Sequence, residues 1–381
     1  MAKKLEKRAP DIRFKGFTDD WEQRKLKELA VINPKAELPD KFEYVDLEAV
    51  VGTQLIHTQK VTKESAPSRA QRLAKYGDIF YQTVRPYQKN NLLFTISNTQ
   101  INYVFSTGYA QLRARIDKMF LFSVLQKQNF VDKVLNKSTG TSYPAINSKD
   151  LGNIKEKFPN ATSEQHKIGK SIKIVDNLIV LQHKKLEQLR LLKKAMLQQL
   201  FPDKDGKLQS RFNGFTNVWE QRKLGEMVEF IGTGKSKYKH KNVGAYKILG
   251  STGVIGFDNT YDYNGNFILT ARVGANAGTL YKYSGKVKIT DNTVFIQGTQ
   301  LNFTYYLLNN FNLKRLSFGS GQPLIKASEL KKLKLYFPIV LEEKEKIGMA
   351  LSKLDTLIAR HQRKLDHLQL LKKFLLQKMF I

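Results

Sequence analysis

Few residues in this chain are spaced for catalysis. Gly232-Thr233-Gly234-Lys235-Ser236 has the ending of a phosphate-binding loop, but that motif needs a glycine five positions before Gly234, and Glu229 stands there. Phe318-Gly319-Ser320-Gly321 is glycine-rich without the spacing of the cofactor loop of adenine methyltransferases, and Asn33-Pro34-Lys35 lacks the aromatic of their catalytic tetrapeptide. His57, His166, His183, His240, His361 and His367 form no His-x-x-x-His pair that would place two metal ligands on one helical face. No Ser–His–Asp set and no carboxylate pair in an apolar setting stands out. The reading is a non-catalytic chain with no cofactor or metal of its own.

What the residue types do offer is contact with a polyanion. Arg69, Arg72, Gln82, Arg85, Tyr87, Gln88 and Lys89 cluster in one stretch, and Lys235, Lys237, Lys239, Lys241, Arg272, Asn276 and Lys282 in another. Arginine and lysine suit guanine edges or phosphates, and asparagine and glutamine suit adenine. Arg85 in Phe-Tyr-Gln-Thr-Val-Arg-Pro and Arg272 in Ile-Leu-Thr-Ala-Arg-Val-Gly each end an expected strand, as though one motif survived twice. The bulk charge agrees: 64 Lys and Arg against 34 Asp and Glu give a formal net of +30, a field that attracts nucleic acid. The absence of cysteine removes disulfides and thiolate sites and fits a cytoplasmic protein. No apolar run is long enough for a membrane span, and the basic start lacks the apolar core of a secretory signal.

The elements that must position these loops are written twice. Residues 13–29 (RFKGFTDDWEQRKLKEL) return as 211–227 (RFNGFTNVWEQRKLGEM), with the only two tryptophans, Trp21 and Trp219, inside the repeat. Gly140, Pro144, Ile146, Leu151 and Phe158-Pro159 return as Gly319, Pro323, Ile325, Leu330 and Phe337-Pro338. A helical stretch follows each time, 164–201 and 343–380. Similar frames thus enclose dissimilar middles.

The helical stretches carry an apolar seam at 4,3 spacing: Ile168, Ile172, Val175, Ile179, Leu186 and Leu189 in the first, Ile347, Leu351, Leu354, Ile358, Leu365 and Leu368 in the second. Polar residues break it at matching places, Gln182 and Lys193, then His361 and Lys372. Such a period means helices packed along their length. About 38 residues make roughly 57 Å of helix, comparable to the span of roughly 17 base pairs. Antiparallel pairing would hold two globular domains apart, related by a pseudo-two-fold.

Between the frames the sequence reads as strands and short helices. Strand-like runs are FEYVDLEAV, DIFYQTV, NLLFTIS and INYVFST in the first middle, and AYKILG, NFILTARVG and KVKITDNTVFI in the second. Short helices are expected around 119–137 and 302–310, giving a curved mixed sheet in each. The expected class is α+β, with two α/β domains at 10–160 and, after a linker, 203–340, and helices at 161–202 and 341–381. On residues alone a DNA reader competes with a coiled-coil scaffold of incidental basic charge.

The Phe-x-Gly-Phe-x-x-x-Trp-Glu-x-x-x-Leu entry (Phe14–Leu26, again Phe212–Leu224), Pro159 with Glu164-Gln165-x-x-Ile168, the leucine-rich helices with Leu-Leu-Lys-Lys, and the duplication together resemble type I restriction–modification specificity subunits. The resemblance covers essentially the whole chain; the second helix lacks the glutamine found at Gln165. It implies two target-recognition domains, each reading half of a split double-stranded DNA site. The helices would act as spacers that dock two modification subunits and, where present, two restriction subunits. S-adenosylmethionine, ATP and Mg would belong to those partners, which would methylate adenine and cut DNA. A related two-protein methyltransferase or nuclease system outside type I is the alternative.

Overall fold

A computed structural model describes residues 9–97, 100–203, 205–235, 238, 241–316 and 323–381. The chain forms two compact units, residues 1–183 with 364–381, and residues 184–363. The boundaries cut through both long helices, so each unit owns a piece of each.

The first unit opens with β1 (Glu22–Lys25), the one-turn α1 (Leu26–Leu29) and β2 (Ala30–Ile32). β3 (Lys41–Val45), β4 (Val50–Val51), β5 (Gln54–Leu55), β6 (Gln59–Thr62), β7 (Ala70–Leu73), β8 (Ile79–Gln82), β9 (Leu92–Leu93), β10 (Tyr103–Ser106) and β11 (Tyr109–Ala114) follow. Then come α2 (Lys118–Gln126), α3 (Gln128–Leu135), α4 (Ser148–Gly152), β12 (Lys155–Phe158) and the long α5 (Thr162–Gln199), which belongs to this unit as far as His183. The single curved sheet expected here is instead two four-stranded sheets, ordered β6-β3-β10-β7 and β2-β11-β8-β9. The ribbon changes sheet between β10 and β11, where a register shift at Phe105/Ser106 precedes Gly108. Leu47 packs onto the backbone of Gly108, so any side chain there would force Leu47 to shift. The helix expected over 119–137 breaks at Lys127, which is extended and buries its ammonium against Glu156 at 3.0 Å.

The second unit contains β13 (Glu220–Lys223), β14 (Phe230–Thr233), β15 (Tyr246–Gly250), β16 (Gly253–Asp258), β17 (Tyr263–Ala271), β18 (Leu280–Ile289) and β19 (Thr293–Gln297). α6 (Leu301–Phe311), α7 (Ala327–Lys332), β20 (Lys334–Phe337) and α8 (Leu341–Lys378), in this unit as far as Arg363, complete it. Here one mixed six-stranded sheet forms, ordered β14-β19-β17-β18-β15-β16, with β15 and β18 parallel.

The repeated sequences become the same construction twice. In the first unit β1 pairs antiparallel with β12, Glu22 opposite Phe158; in the second β13 pairs with β20, Glu220 opposite Phe337. Arg13 forks onto Glu164 at 2.7 and 2.9 Å, and Arg211 onto Glu343 at 2.6 and 2.7 Å. Both carboxylates are buried, 1% and 0% exposed, in the first turn of a long helix, where a negative charge is favoured by the helix dipole. The hydrogen bond to each carboxylate holds the Arg13 and Arg211 guanidinium pKa values above their ordinary value. Trp21 packs edge-on against Phe120 and against Phe380 near the end of α8, and Trp219 packs against Phe303 and Phe201 just past α5.

The apolar seam is placed as follows. Ile168, Ile172 and Val175 are buried in the first unit, and Leu186, Leu189, Ile347, Leu351 and Leu354 in the second; Leu365 is buried and Ile179, Ile358 and Leu368 half-buried. Ile168 and Ile172 join the first unit's core beside Leu375, Leu376 and Met379, while Asp176 bonds Lys372 at 2.6 Å, so the two helix segments run antiparallel. In the second unit Arg190 reaches Gln362 and Lys193 reaches Asp355 at 2.5 Å, the same sense of pairing. Two of the polar breaks, Lys193 and Lys372, are therefore inter-helix ion pairs.

Glycine follows the first seam residue each time. A methyl on Gly169 would run into the Phe120 amide and Met119, and one on Gly348 would lie 2.9 Å from the Phe303 nitrogen. The start of α2, or of α6, thus touches the long helix backbone directly. Gly169→Ala is expected to destabilise the protein by about 1–3 kcal/mol in denaturant unfolding, since neither backbone can yield cheaply. Glu343→Ala is expected to remove about 1–3 kcal/mol, because it leaves the Trp219 N–H without its acceptor and the part-buried Arg211 guanidinium without its partner. A midpoint within error of the parent for either variant would contradict these assignments.

Candidate nucleic-acid interface

In each unit a strand runs into a loop that is stitched to the segment preceding α4 or α7. In the first, Ile146 N–H donates to the Thr83 carbonyl (3.1 Å), Val84 bridges Ala145, and Arg85 N–H donates to the Pro144 carbonyl (2.7 Å). In the second, Ile325 N–H donates to the Arg272 carbonyl (2.7 Å), Val273 bridges Leu324, and Gly274 N–H donates to the Pro323 carbonyl (3.0 Å). The sequence suggested that Arg85 and Arg272 occupy one repeated position. The backbone corrects this: Arg272 corresponds to Thr83, and Arg85 to Gly274. The two arginines flank the matching valine from opposite sides, because each loop keeps the stitch and changes the residues around it.

More loops join at the same end. In the first unit the β4–β5 hairpin, with Val51 and the following Ile56 exposed, is tied on by Gly52 N–H to Asn90 Oδ1 (2.9 Å) and Asn91 N–H to the Gly52 carbonyl (3.0 Å). In the second, Ser251 Oγ and Arg272 N–H both donate to the Asn292 carbonyl, at 3.3 and 2.8 Å, and Val254 and Ile255 are exposed.

The candidates from the sequence fall in different places. Arg85 lies over the Tyr143 ring, 4.8 Å from its centroid, and Tyr143 is 65% exposed. Lys89 donates to the Gln126 carbonyl at 3.3 Å, and burial, then the nearby charge of Lys372, lowers its pKa. Arg69 is exposed, while Arg72 is half-buried in β7, its Nε has no acceptor among the described residues, and burial lowers its pKa. Gln82 is a correction: it is buried and braces the loop, its N–H on Asn91 Oδ1 (2.8 Å) and its Nε2 on Gln88 Oε1 (3.0 Å). In the second unit Lys235 is exposed and lies 6.0 Å from the Tyr263 ring centroid, Arg272 is half-buried and Asn276 exposed. Lys237 and Lys239 lie outside the described residues.

Residue types alone did not mark Tyr143, although it sits beside the repeated Pro144. Nor did they show the lysine–tyrosine array of the second unit. There Lys247, Lys282, Lys286 and Lys288 lie over Tyr283, Tyr305, Tyr261 and Tyr238, at 5.4, 4.7, 4.9 and 4.9 Å. Cations laid on aromatic faces keep their charge beside flat apolar surface, a combination suited to phosphates and base edges. Among the described residues no His, Asp and Glu group is arranged to hold a metal, and no helix is long and apolar enough to cross a membrane.

Known proteins share the fold and part of the sequence behind it. The family model of the type I restriction modification DNA specificity domain matches residues 18–191 and again 217–370. The chain is 26% identical to a MjaVIII specificity subunit from Methanocaldococcus jannaschii over 299 residues, 68% of each chain. It is 28% identical to the EcoprrI specificity subunit from Escherichia coli over 115 residues, 29% of this chain and only 28% of that one. The crystal structure of the type I restriction–modification S subunit from M. genitalium shares the fold, with a TM-score of 0.68 at 16% identity, covering 98% of this chain and 99% of that one. With the family domain matched twice over most of its length, this chain belongs to the type I restriction–modification DNA specificity family, whose members are recognition subunits and not catalysts.

Proposed function

We propose that this chain is the sequence-reading subunit of a cytoplasmic type I restriction–modification complex. Each unit reads one half of a bipartite double-stranded DNA site through its stitched loops. The observation that carries the reading is the recurrence of one backbone stitch in both units with different side chains on it. That is what a fixed platform with exchangeable specificity requires.

Charge supports a DNA partner, and the long helices support protein partners. Ile174, Leu178, Leu181, Leu370, Leu371 and Phe374 are exposed on the first unit's helix segments, and Leu191, Leu192, Met349 and Leu357 on the second's. Apolar residues left open on helices this long suit docking of partner helices. In this reading they receive two modification subunits, which bind S-adenosylmethionine and methylate adenine. Where the system includes restriction subunits, two of them, using ATP and Mg, complete the assembly.

Genome-wide adenine-methylation mapping, with the modification subunit expressed with and without this chain, tests the reading. A split motif that appears only with this chain is the expected result; no new methylation from a folded, assembled complex would overturn it. Exchanging residues 224–333, between β13 and β20, for those of a relative should change one half of the motif and leave the other. Lys235→Ala should weaken binding to all duplexes alike and lower the salt slope by about 1.

A further inference from the structure

The stitch leaves one residue in a conformation its side chain disfavours. Arg85 has φ 53° and ψ 56°, the left-handed region, where a Cβ crowds its own backbone. Pro86 follows directly and restricts the preceding residue further. Hydrogen bonds fix the backbone on both sides: Arg85 N–H to the Pro144 carbonyl at 2.7 Å, and Gln88 N–H to the Arg85 carbonyl at 3.0 Å. The matching residue of the second unit, Gly274, is also left-handed, with φ 91°. The platform therefore needs a left-handed residue here, and glycine meets that need without strain. An arginine at this point is explained by its side chain and not by its backbone.

The side chain is arranged for recognition. Its guanidinium lies over the exposed Tyr143 ring, 4.8 Å from the centroid, and Tyr143 sits next to the residue that accepts the Arg85 N–H. Strand end, stitch and ring thus position the guanidinium together. By contrast, Arg13, Arg113 and Arg211 each fork onto a buried carboxylate. Stacking occupies a guanidinium's face and leaves the N–H donors along its edge, the geometry that meets the O6 and N7 of guanine together.

We infer that Arg85 is a specificity-determining residue that reads a guanine in the half-site of the first unit, an assignment that rests on the DNA-reading function proposed above. Arg85 shares the left-handed region with Lys89 four residues on (φ 56°), but the stitch holds Arg85 there, and the strain is used to aim its side chain.

The test uses the full chain, with Arg85, R85G or R85K, assembled with its modification subunits. Each is challenged with a random-sequence duplex library, and thermal unfolding is measured in parallel. The wild type should select a motif containing a G·C pair that R85G no longer selects, with all other positions retained. R85G should bind the wild-type site at least about 10-fold more weakly. Its melting temperature should equal or exceed the parent's, since glycine relieves the strain. R85K keeps the charge without the planar fork and should weaken the same base preference while still binding duplexes. R85G with a lower melting temperature and an intact motif would mean that the arginine only holds the loop. Uniform weakening with the motif retained would make it a phosphate contact. Either result overturns the assignment. A wild type that selects no motif at all would overturn the DNA reading itself, and this assignment with it.

Discussion

The fold rests on a buried carboxylate at the start of each long helix. Glu164 and Glu343 are almost wholly withdrawn from solvent and are held by the Arg13 and Arg211 forks. A buried charge without such a partner would be costly enough to oppose folding. The arginine belongs to the entry segment and the glutamate to the helix, 151 residues apart in the first unit and 132 in the second. Each pair therefore closes the frame around a whole recognition region. The short β1–β12 and β13–β20 ladders lie beside these closures and fix their register. The closures are not identical: the Trp219 indole N–H also donates to Glu343 at 3.3 Å, whereas the Trp21 Nε1 has no partner among the described residues.

The long helices use polarity in a second way. An uninterrupted apolar seam would allow neighbouring registers, whereas a charged pair within it satisfies only one. Asp176–Lys372 and Lys193–Asp355 serve this end in their respective units. Tyr306 adds a bond of 2.6 Å to Asp355 in the second unit. Where the seam reaches the globular regions its role changes, and Ile168, Ile172, Ile347 and Leu351 become core residues. The adjoining Gly169 and Gly348 let α2 and α6 sit against the helix backbone.

Such closures free the enclosed regions to differ. One unit builds two four-stranded sheets and the other a single six-stranded sheet, yet both deliver a strand to the same stitched loop. Stability resides in the tryptophan clusters, ladders and ion pairs of the frame. The side chains of loop residues such as Arg85 and Arg272 take no part in those contacts. A reader of variable targets on a constant scaffold needs this separation.

Much of this was legible in the sequence. The duplication, the helices and their seam depend on local periodicity and on matches between segments, both visible along the chain. The basic, aromatic composition of the loops pointed to nucleic acid for the same reason. Which residue does what was not legible. Gln82, whose type suits a contact with adenine, is buried and braces the loop, because the chain folds Asn91 and Gln88 back onto it. Lys193 and Lys372 looked like flaws in a seam, since their carboxylate partners lie 162 and 196 residues away. Arg85 and Arg272 looked equivalent from flanking residues; only the bonds from Arg85 N–H to the Pro144 carbonyl and from Ile325 N–H to the Arg272 carbonyl show which backbone positions correspond. Local pattern determines which elements form and that they form twice. Tertiary pairing decides which side chains they present, because that depends on partners that local pattern does not identify, some of them more than a hundred residues away along the chain.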